Sequence, residues 1–165
     1  MSKDQTRPST NPDLLRGAAA GLVAGLAASF AMDLAQRLLS KMQPPSDSEP
    51  ATEKAADRLA EAATGAPVPK ESRPMAGQAV HYAFGAVLGA SYGALAERYP
   101  DITEGGGALF GLGTALIFDE VGVPAAGLGD APWKAKPETH LYALASHLVF
   151  GTATEGTRRL VRAAL

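Results

Sequence analysis

Residues 17–33 read GAAAGLVAGLAASFAMD, with glycine or serine at every fourth position before an aspartate. The members of this stripe are Gly17, Gly21, Gly25, Ser29 and Asp33. In water, glycine inside a helix costs about 0.5–1 kcal/mol relative to alanine. In a bilayer, small residues at this spacing let helix backbones approach closely. The stretch therefore predicts a membrane-spanning helix that packs through its glycine face.

The same spacing recurs in three further apolar segments, and every stripe includes ionisable residues. The stripes are Gly77, His81, Gly85, Gly89, Gly93 and Glu97; Gly107, Gly111, Ala115 and Asp119; and His140, His147, Gly151 and Glu155. We therefore predict an all-α fold, an integral membrane four-helix bundle with glycine-zipper packing. The predicted packing residues are Gly17, Gly21, Gly25, Gly85, Gly89, Gly93, Gly107, Gly111 and Gly151. A pore lined by small residues is the alternative interpretation of these stripes.

The 165 residues suffice for one domain with four crossings. Charged residues make up 19% of the chain, below the roughly 25% of soluble proteins. We predict a polar tail over residues 1–16 and a single membrane domain over 17–165. Its spans are predicted at about 17–39, 76–96, 105–123 and 139–160. A cleaved signal peptide ending near Ser29 is an alternative for the first segment, but a span explains better a stripe that continues to Asp33.

The polar stretch from Gln43 to Pro74 predicts a long loop with a short surface helix at about 50–64. Asp47 or Ser48 is the expected N-cap, with Pro50 in the first turn and Gly65 at the end. A surface helix at the membrane edge and a partner-docking element are both compatible with its alanine-rich sequence.

The other connections are shorter. Tyr99-Pro100-Asp101 predicts a turn that makes spans two and three an antiparallel hairpin, with Gly105–Gly107 opening span three. Trp133, Tyr99 and Tyr142 suit anchors at the membrane interface. Lys and Arg are divided almost evenly between the two sides, and hairpin insertion favours both termini in the cytoplasm.

Several function classes have no support in the sequence. A net charge of −2 gives no basic field, so nucleic-acid binding is not predicted. With no cysteine, thiolate chemistry and disulfides are excluded. Gly105-Gly106-Gly107 is not followed by the Gly-Lys-Ser/Thr of a phosphate loop. We find no catalytic constellation and predict neither an enzyme nor a cofactor.

Alternating helix directions decide which ionisable residues can meet. They place one set in the same leaflet, as a buried polar cluster: Asp33, His81, Asp119, Glu120, His140 and His147. The other leaflet receives Arg16, Glu97, Glu155 and Arg158, which we expect to form ion pairs across the bundle. Ionisable residues that face a bundle interior are functional candidates by default.

Three interpretations of the buried cluster remain open. Carboxylates and imidazoles can neutralise one another and fix helix register. They can also form a protonation-sensitive site or proton path, because histidine titrates near neutral pH. A divalent-cation site of histidine and carboxylate ligands is the third, although no His-x-x-x-His or Glu-x-x-His motif is present, so no metal ligand is assigned.

The second half resembles a known family. The resemblance rests on HYAFGAVLGASYG at residues 81–93, AERYP at 96–100, residues 111–124, Gly127-Leu128, DAPW at 130–133 and HLVFG at 147–151, with Glu155 and Arg158-Arg159. Over about residues 75–162 the chain resembles the YagU-like family of bacterial inner-membrane proteins. The resemblance implies about four helices, no agreed activity and a suggested link to survival in acid. Asp119-Glu120 departs from the family by being more acidic.

We therefore predict a non-enzymatic, multi-pass protein of the bacterial inner membrane that contributes to acid or envelope stress tolerance through its acid/histidine cluster. The lipid bilayer is its expected partner, and the glycine faces also suit a homo-oligomer. A small oligomeric channel or transporter for protons or divalent cations is one alternative. A scaffold that docks a larger membrane complex through the loop helix is the other.

Overall fold

The computed structural model describes residues 13–42 and 49–165. Most of the predicted tail over residues 1–16, and the start of the polar loop with its proposed caps Asp47 and Ser48, lie outside the described residues. Within the two described ranges the secondary structure is helical, and no strand occurs.

Five helices organise these residues. They are α1 (Leu14–Leu39), α2 (Ala51–Thr64), α3 (Arg73–Arg98), α4 and α5 (Pro137–Ala164). Helix α4 starts as an α-helix at Ala108–Thr114, continues as a π-helix at Ala115–Gly122 and ends in an α-helical turn at Val123–Ala125. Short 3₁₀ segments at Ser40–Met42, Lys70–Ser72, Pro100–Gly107 and Pro132–Lys134 lie between them.

The structure corrects the predicted start of span three. Gly105, Gly106 and Gly107 do not open the helix, because their φ angles of +75°, +63° and +87° lie in the left-handed region. These angles suit glycine, which has no Cβ to clash with its own backbone. The three glycines therefore reverse the chain after α3, and α4 begins at Ala108.

The loop helix is α2, and its N-cap position is occupied by Pro50, which makes no side-chain cap. At the other end Gly65 adopts the left-handed conformation and donates its N–H to the carbonyl oxygen of Glu61. This is a common way to end a helix.

Glycines bring α1 and α3 into backbone contact. A Cβ added to Gly21 would overlap the carbonyl oxygen of Gly89, and one added to Gly25 would overlap that of Gly85. Gly17 stands in the same relation to Gly93. Each pair lies four residues from the next, so the contact runs for more than two helical turns.

A second glycine contact joins α4 to α5. A Cβ on Gly111 would overlap the carbonyl oxygen of His147, and one on Gly107 would overlap that of Gly151. Helix α1 packs against both α3 and α5. Helices α3 and α4 meet instead through aromatic side chains: the rings of Phe84 and Phe118 lie 4.8 Å apart, and those of Tyr92 and Phe110 lie 4.3 Å apart.

The interior is built from small and polar residues. Apart from alanines, the side chains with almost no exposure are Ser29, Ser146, Thr154 and Glu155. Most large apolar side chains lie outside; examples are Leu15, Phe30, Leu38, Leu109, Leu116 and Ile117, whereas Met32, Tyr92 and Phe150 are buried. A buried carboxylate surrounded by exposed leucines differs from a water-soluble core, in which large apolar residues are buried and charged ones exposed.

Three helical segments are long and apolar enough to cross a membrane: Leu14–Leu39, Lys70–Arg98 and Pro100–Ala125. The fourth predicted span corresponds to α5, which is not among the three although it has 28 residues. Its histidines, threonines and Glu155 lower its mean hydropathy. Several of these polar residues face inward, since Ser146, Thr154 and Glu155 are buried.

The glycine contacts generate a stability prediction. Gly21→Ala should lower the free energy of unfolding by about 1–3 kcal/mol, because the added methyl group overpacks a backbone contact. Gly113→Ala is the matched control, because nothing lies within 4 Å of a Cβ at Gly113. That substitution should be neutral or stabilising by about 0.5–1 kcal/mol. The measurement is denaturant-induced unfolding in detergent followed by helical circular dichroism; equal losses in both variants would contradict the packing argument.

Candidate functional site

A cavity of about 420 Å³ lies between the four long helices and is covered at one end by α2. Its wall is mostly apolar, with side chains such as Met32, Phe84, Leu88, Phe118 and Phe150. The ionisable residues on the wall are His81, Asp119 and His147. Apolar pockets with a few convergent polar groups are typical of binding sites.

His81 stands on α3 in front of Asp33 of α1. Its Nε2 lies 3.3 Å from Asp33 Oδ1, but the contact lacks hydrogen-bond geometry, so Nε2 is buried without a hydrogen-bond partner among the described residues. Asp33 Oδ2 instead accepts hydrogen bonds from Gln78 Nε2 at 2.6 Å and from the Tyr82 hydroxyl at 3.0 Å. Asp33 is therefore held as an acceptor, whereas His81 retains an unused nitrogen next to the cavity.

His147 on α5 approaches Asp119 on α4. Its Nδ1 lies 3.4 Å from Asp119 Oδ2 and 3.0 Å from the carbonyl oxygen of Ala143. Both neighbours are acceptors, so Nδ1 carries a proton and donates it to the nearer oxygen, that of Ala143. The Asp119 carboxylate therefore interacts only weakly with the Nδ1–H group of His147.

The π-helix positions Asp119. The N–H of Val123 bonds to the carbonyl oxygen of Phe118, a five-residue spacing that widens the helix around Ala115–Gly122. Such segments are rare and frequently occur at functional sites. Here the wider turn places Phe118, Asp119 and Gly122 on the cavity wall.

Glu120 and His140 form a separate pair outside the cavity. His140 Nδ1 lies 2.6 Å from Glu120 Oε1, and its Nε2 lies 3.1 Å from the carbonyl oxygen of Pro132. The six residues predicted as one cluster thus form three histidine–carboxylate pairs, two of which meet at the cavity. In the described ranges no group of three or more His, Cys, Asp or Glu residues could hold a metal ion.

Hydrogen bonds and ion pairs hold helix α2 over the cavity. Ala51, Thr52 and Ala55 line the cavity. Arg58 donates hydrogen bonds to the carbonyl oxygens of Ala126 and Gly127, after the end of α4. Arg73 of α3 pairs with Glu49 and with Asp57, each at 2.8 Å. These contacts therefore attach α2 to α3 and to the segment after α4, beside the cavity that α2 covers.

Ion pairing at the opposite end differs from the prediction. Arg16 pairs with Asp13, its neighbour one turn away on α1, and not across the bundle. Glu155 pairs within α5, at 2.7 Å from Arg158 and 2.5 Å from Arg159, because residues three and four apart share a helix face. Glu97 does pair across the bundle, but with Arg162 at 2.6 Å.

Some contributing residues were not predicted, although spacing carried a signal for several. Gln78 precedes His81 by three residues and Tyr82 by four, so all three share the α3 face toward Asp33. Arg162 follows Glu155 by seven residues, which is two helical turns. Ser29 was noted only as a member of a glycine stripe, yet its hydroxyl is fully buried and has no hydrogen-bond partner in residues 13–42 and 49–165.

A family model described as "Protein of unknown function (DUF1440)" matches residues 67–156. The match covers α3, α4 and most of α5, and therefore includes His81, Asp119 and His147. It confirms the predicted resemblance of the second half to an uncharacterised family. No curated protein and no solved structure matches the chain.

The buried ion pairs generate a second prediction. Glu155→Gln should lower the free energy of unfolding by about 3–5 kcal/mol, because it leaves the half-buried Arg158 without its counter-charge. Arg159→Gln should cost no more than about 1 kcal/mol, since Arg159 is exposed and Glu155 keeps Arg158. Unfolding of both variants in the same detergent measures the difference. Comparable losses would show that Glu155 stabilises the bundle by packing and not by charge.

Proposed function

The chain belongs to the DUF1440 family of proteins of unknown function, and from that premise we propose a function for its cavity. The protein is a non-enzymatic, multi-pass protein of the bacterial inner membrane. Its cavity takes up and releases protons through two histidine–aspartate pairs and so makes the protein responsive to acid. The observation that carries this proposal is the meeting of His81–Asp33 and His147–Asp119 at one apolar cavity.

The membrane placement is supported by two independent features. Three segments are apolar enough to cross a bilayer, and the exterior is rich in leucine while the interior is rich in alanine, serine and threonine. In this proposal α5 is the fourth span of a four-helix bundle with glycine-zipper packing. Its buried polar side chains are then shielded from lipid, which is the usual arrangement for polar groups in membrane helices.

Proton uptake is supported by the chemistry of the two pairs. Histidine is the side chain whose charge changes between about pH 5 and 8. In the part of the chain that the structure describes, His81 has a buried nitrogen that lies beside a carboxylate and has no hydrogen-bond partner. A proton on the His81 ring would place a positive charge beside the Asp33 carboxylate, and the opposite charges would attract each other. Acid would thereby strengthen the connection between α1 and α3.

The inner-membrane assignment and the acid-tolerance role are supported by the resemblance of residues 75–162 to the YagU-like family. Docking of a larger complex through α2 has weaker support, because the inner residues of α2 line the cavity and Arg58 is used to fasten it. Conduction of protons or divalent cations remains the competing function of the same cavity.

A mutational test distinguishes the two histidines that line the cavity, His81 and His147, from His140, which lies outside it. In a strain that depends on this protein for survival in acid, the double variant His81→Gln/His147→Gln should lose at least about tenfold in survival, because neither pair can then bind a proton at imidazole. His140→Gln is the matched control, since His140 pairs with Glu120 outside the cavity. Equal survival of the double variant and the wild type would refute proton uptake as the function.

Flux measurements in proteoliposomes decide between sensing and conduction. A proton sensor should leave an imposed pH gradient between about 5 and 7.5 intact. Proton or divalent-cation flux that Asp33→Asn/Asp119→Asn abolishes would make the cavity part of a channel or transporter. Retention of the gradient by wild type and variant alike is the result expected for the sensor.

A further inference from the structure

We propose that the cavity binds a lipophilic organic cation, with the charged centre at Asp119 and the apolar body against the phenylalanine wall. This ligand class is additional to the proton. The inference rests on the proposed function only for the placement of the cavity inside the membrane.

Asp119 is the carboxylate on the cavity wall that accepts no hydrogen bond from the described residues. Within the described ranges no hydrogen bond is donated to its carboxylate, and its nearest cationic or imidazole group is His147 Nδ1 at 3.4 Å. That nitrogen donates to Ala143 instead. Asp33, by contrast, has hydrogen bonds from Gln78 and Tyr82. The Asp119 side chain is 37% exposed and lies on the same cavity wall as three phenylalanines, so a cation can reach its carboxylate and pair with it.

The charges around the cavity favour a positive ligand. The wall contains an aspartate and two histidines, with a second aspartate behind His81, and none of its residues is Lys or Arg. An anionic ligand would find no guanidinium or ammonium group, which are the usual partners of carboxylates and phosphates. A cation would complete the coordination of Asp119 without displacing an existing hydrogen bond.

The remaining wall selects an apolar, ring-bearing body. Phe84, Phe118 and Phe150 line the cavity, and the rings of Phe84 and Phe118 meet edge to face at 4.8 Å. Aromatic faces attract cations that lie within about 6 Å of the ring centre. The volume of about 420 Å³ lies within the range of about 300–1,000 Å³ for small-molecule sites.

The backbone around Asp119 is also typical of a binding site. Asp119 lies in the π-helical segment Ala115–Gly122, and such segments are rare and frequently occur at functional sites. Gly122, at the end of this segment, lies on the cavity wall and has no side chain to reduce the space.

Equilibrium dialysis of the detergent-purified protein against tetraphenylphosphonium tests the proposal, with protein-free micelles as the baseline. Wild type should bind one probe per chain with saturation. Asp119→Asn should weaken binding by about tenfold or more, because it removes the counter-charge. Glu120→Gln is the matched control and should bind as wild type, since Glu120 is not on the cavity wall. Tetraphenylborate, which has the same shape and opposite charge, should not bind at this site.

Ala55→Trp provides a variant that leaves Asp119 intact. Ala55 of α2 lines the cavity, so an indole at this position should fill it and abolish probe binding by exclusion. No saturable binding by wild type, unchanged binding by Asp119→Asn, or equal binding of tetraphenylborate would each overturn the proposal. None of these outcomes affects proton uptake by the histidines, because the acid-survival test uses His81 and His147 and no organic cation.

Discussion

The structure depends on direct contact between helix backbones at glycine. Gly21 of α1 and Gly89 of α3 leave no room for a Cβ between them, and Gly111 and Gly151 do the same between α4 and α5. In a bilayer, the transfer of apolar side chains from water to lipid does not drive helices together, so close packing must supply much of the attraction. The alanine and glycine content of the chain is therefore a property of its interfaces and not of a weak hydrophobic core.

The cavity begins where the glycines end. On α1 the stripe passes from Gly25 to Ser29, and on α3 it passes from Gly85 back to His81. On α4 and α5 the corresponding residues are Asp119 and His147. Where small residues give way to ionisable ones, the helices are separated by side chains, and a space of about 420 Å³ remains among them. One repeated pattern therefore produces both a close-packed half of the helical structure and a half with a mostly apolar cavity that carries a few ionisable residues.

This division also explains the distribution of charge. At the close-packed end, Glu155 is fully buried but compensated by Arg158 and Arg159 on its own helix, and Glu97 is compensated by Arg162. At the cavity end, carboxylates face imidazoles, whose charge depends on pH. A buried guanidinium pair is permanent because arginine does not lose its proton. The structure thus places guanidinium–carboxylate pairs at one end and imidazole–carboxylate pairs at the other.

The sequence by itself determined the helical fold, the three spans with sufficient hydropathy, the loop helix and the glycine faces, because these follow from periodicity and composition along a single chain. It also placed Asp33, His81, Asp119 and His147 at one end. Only the tertiary structure decided which ionisable residues pair, because moving a helix by less than one turn changes the side chains that face each other. Glu120 pairs with His140, and Arg16 pairs with Asp13. The left-handed turn at Gly105–Gly107 and the π-helix around Asp119 were likewise not evident, since neither follows from helical periodicity along the chain.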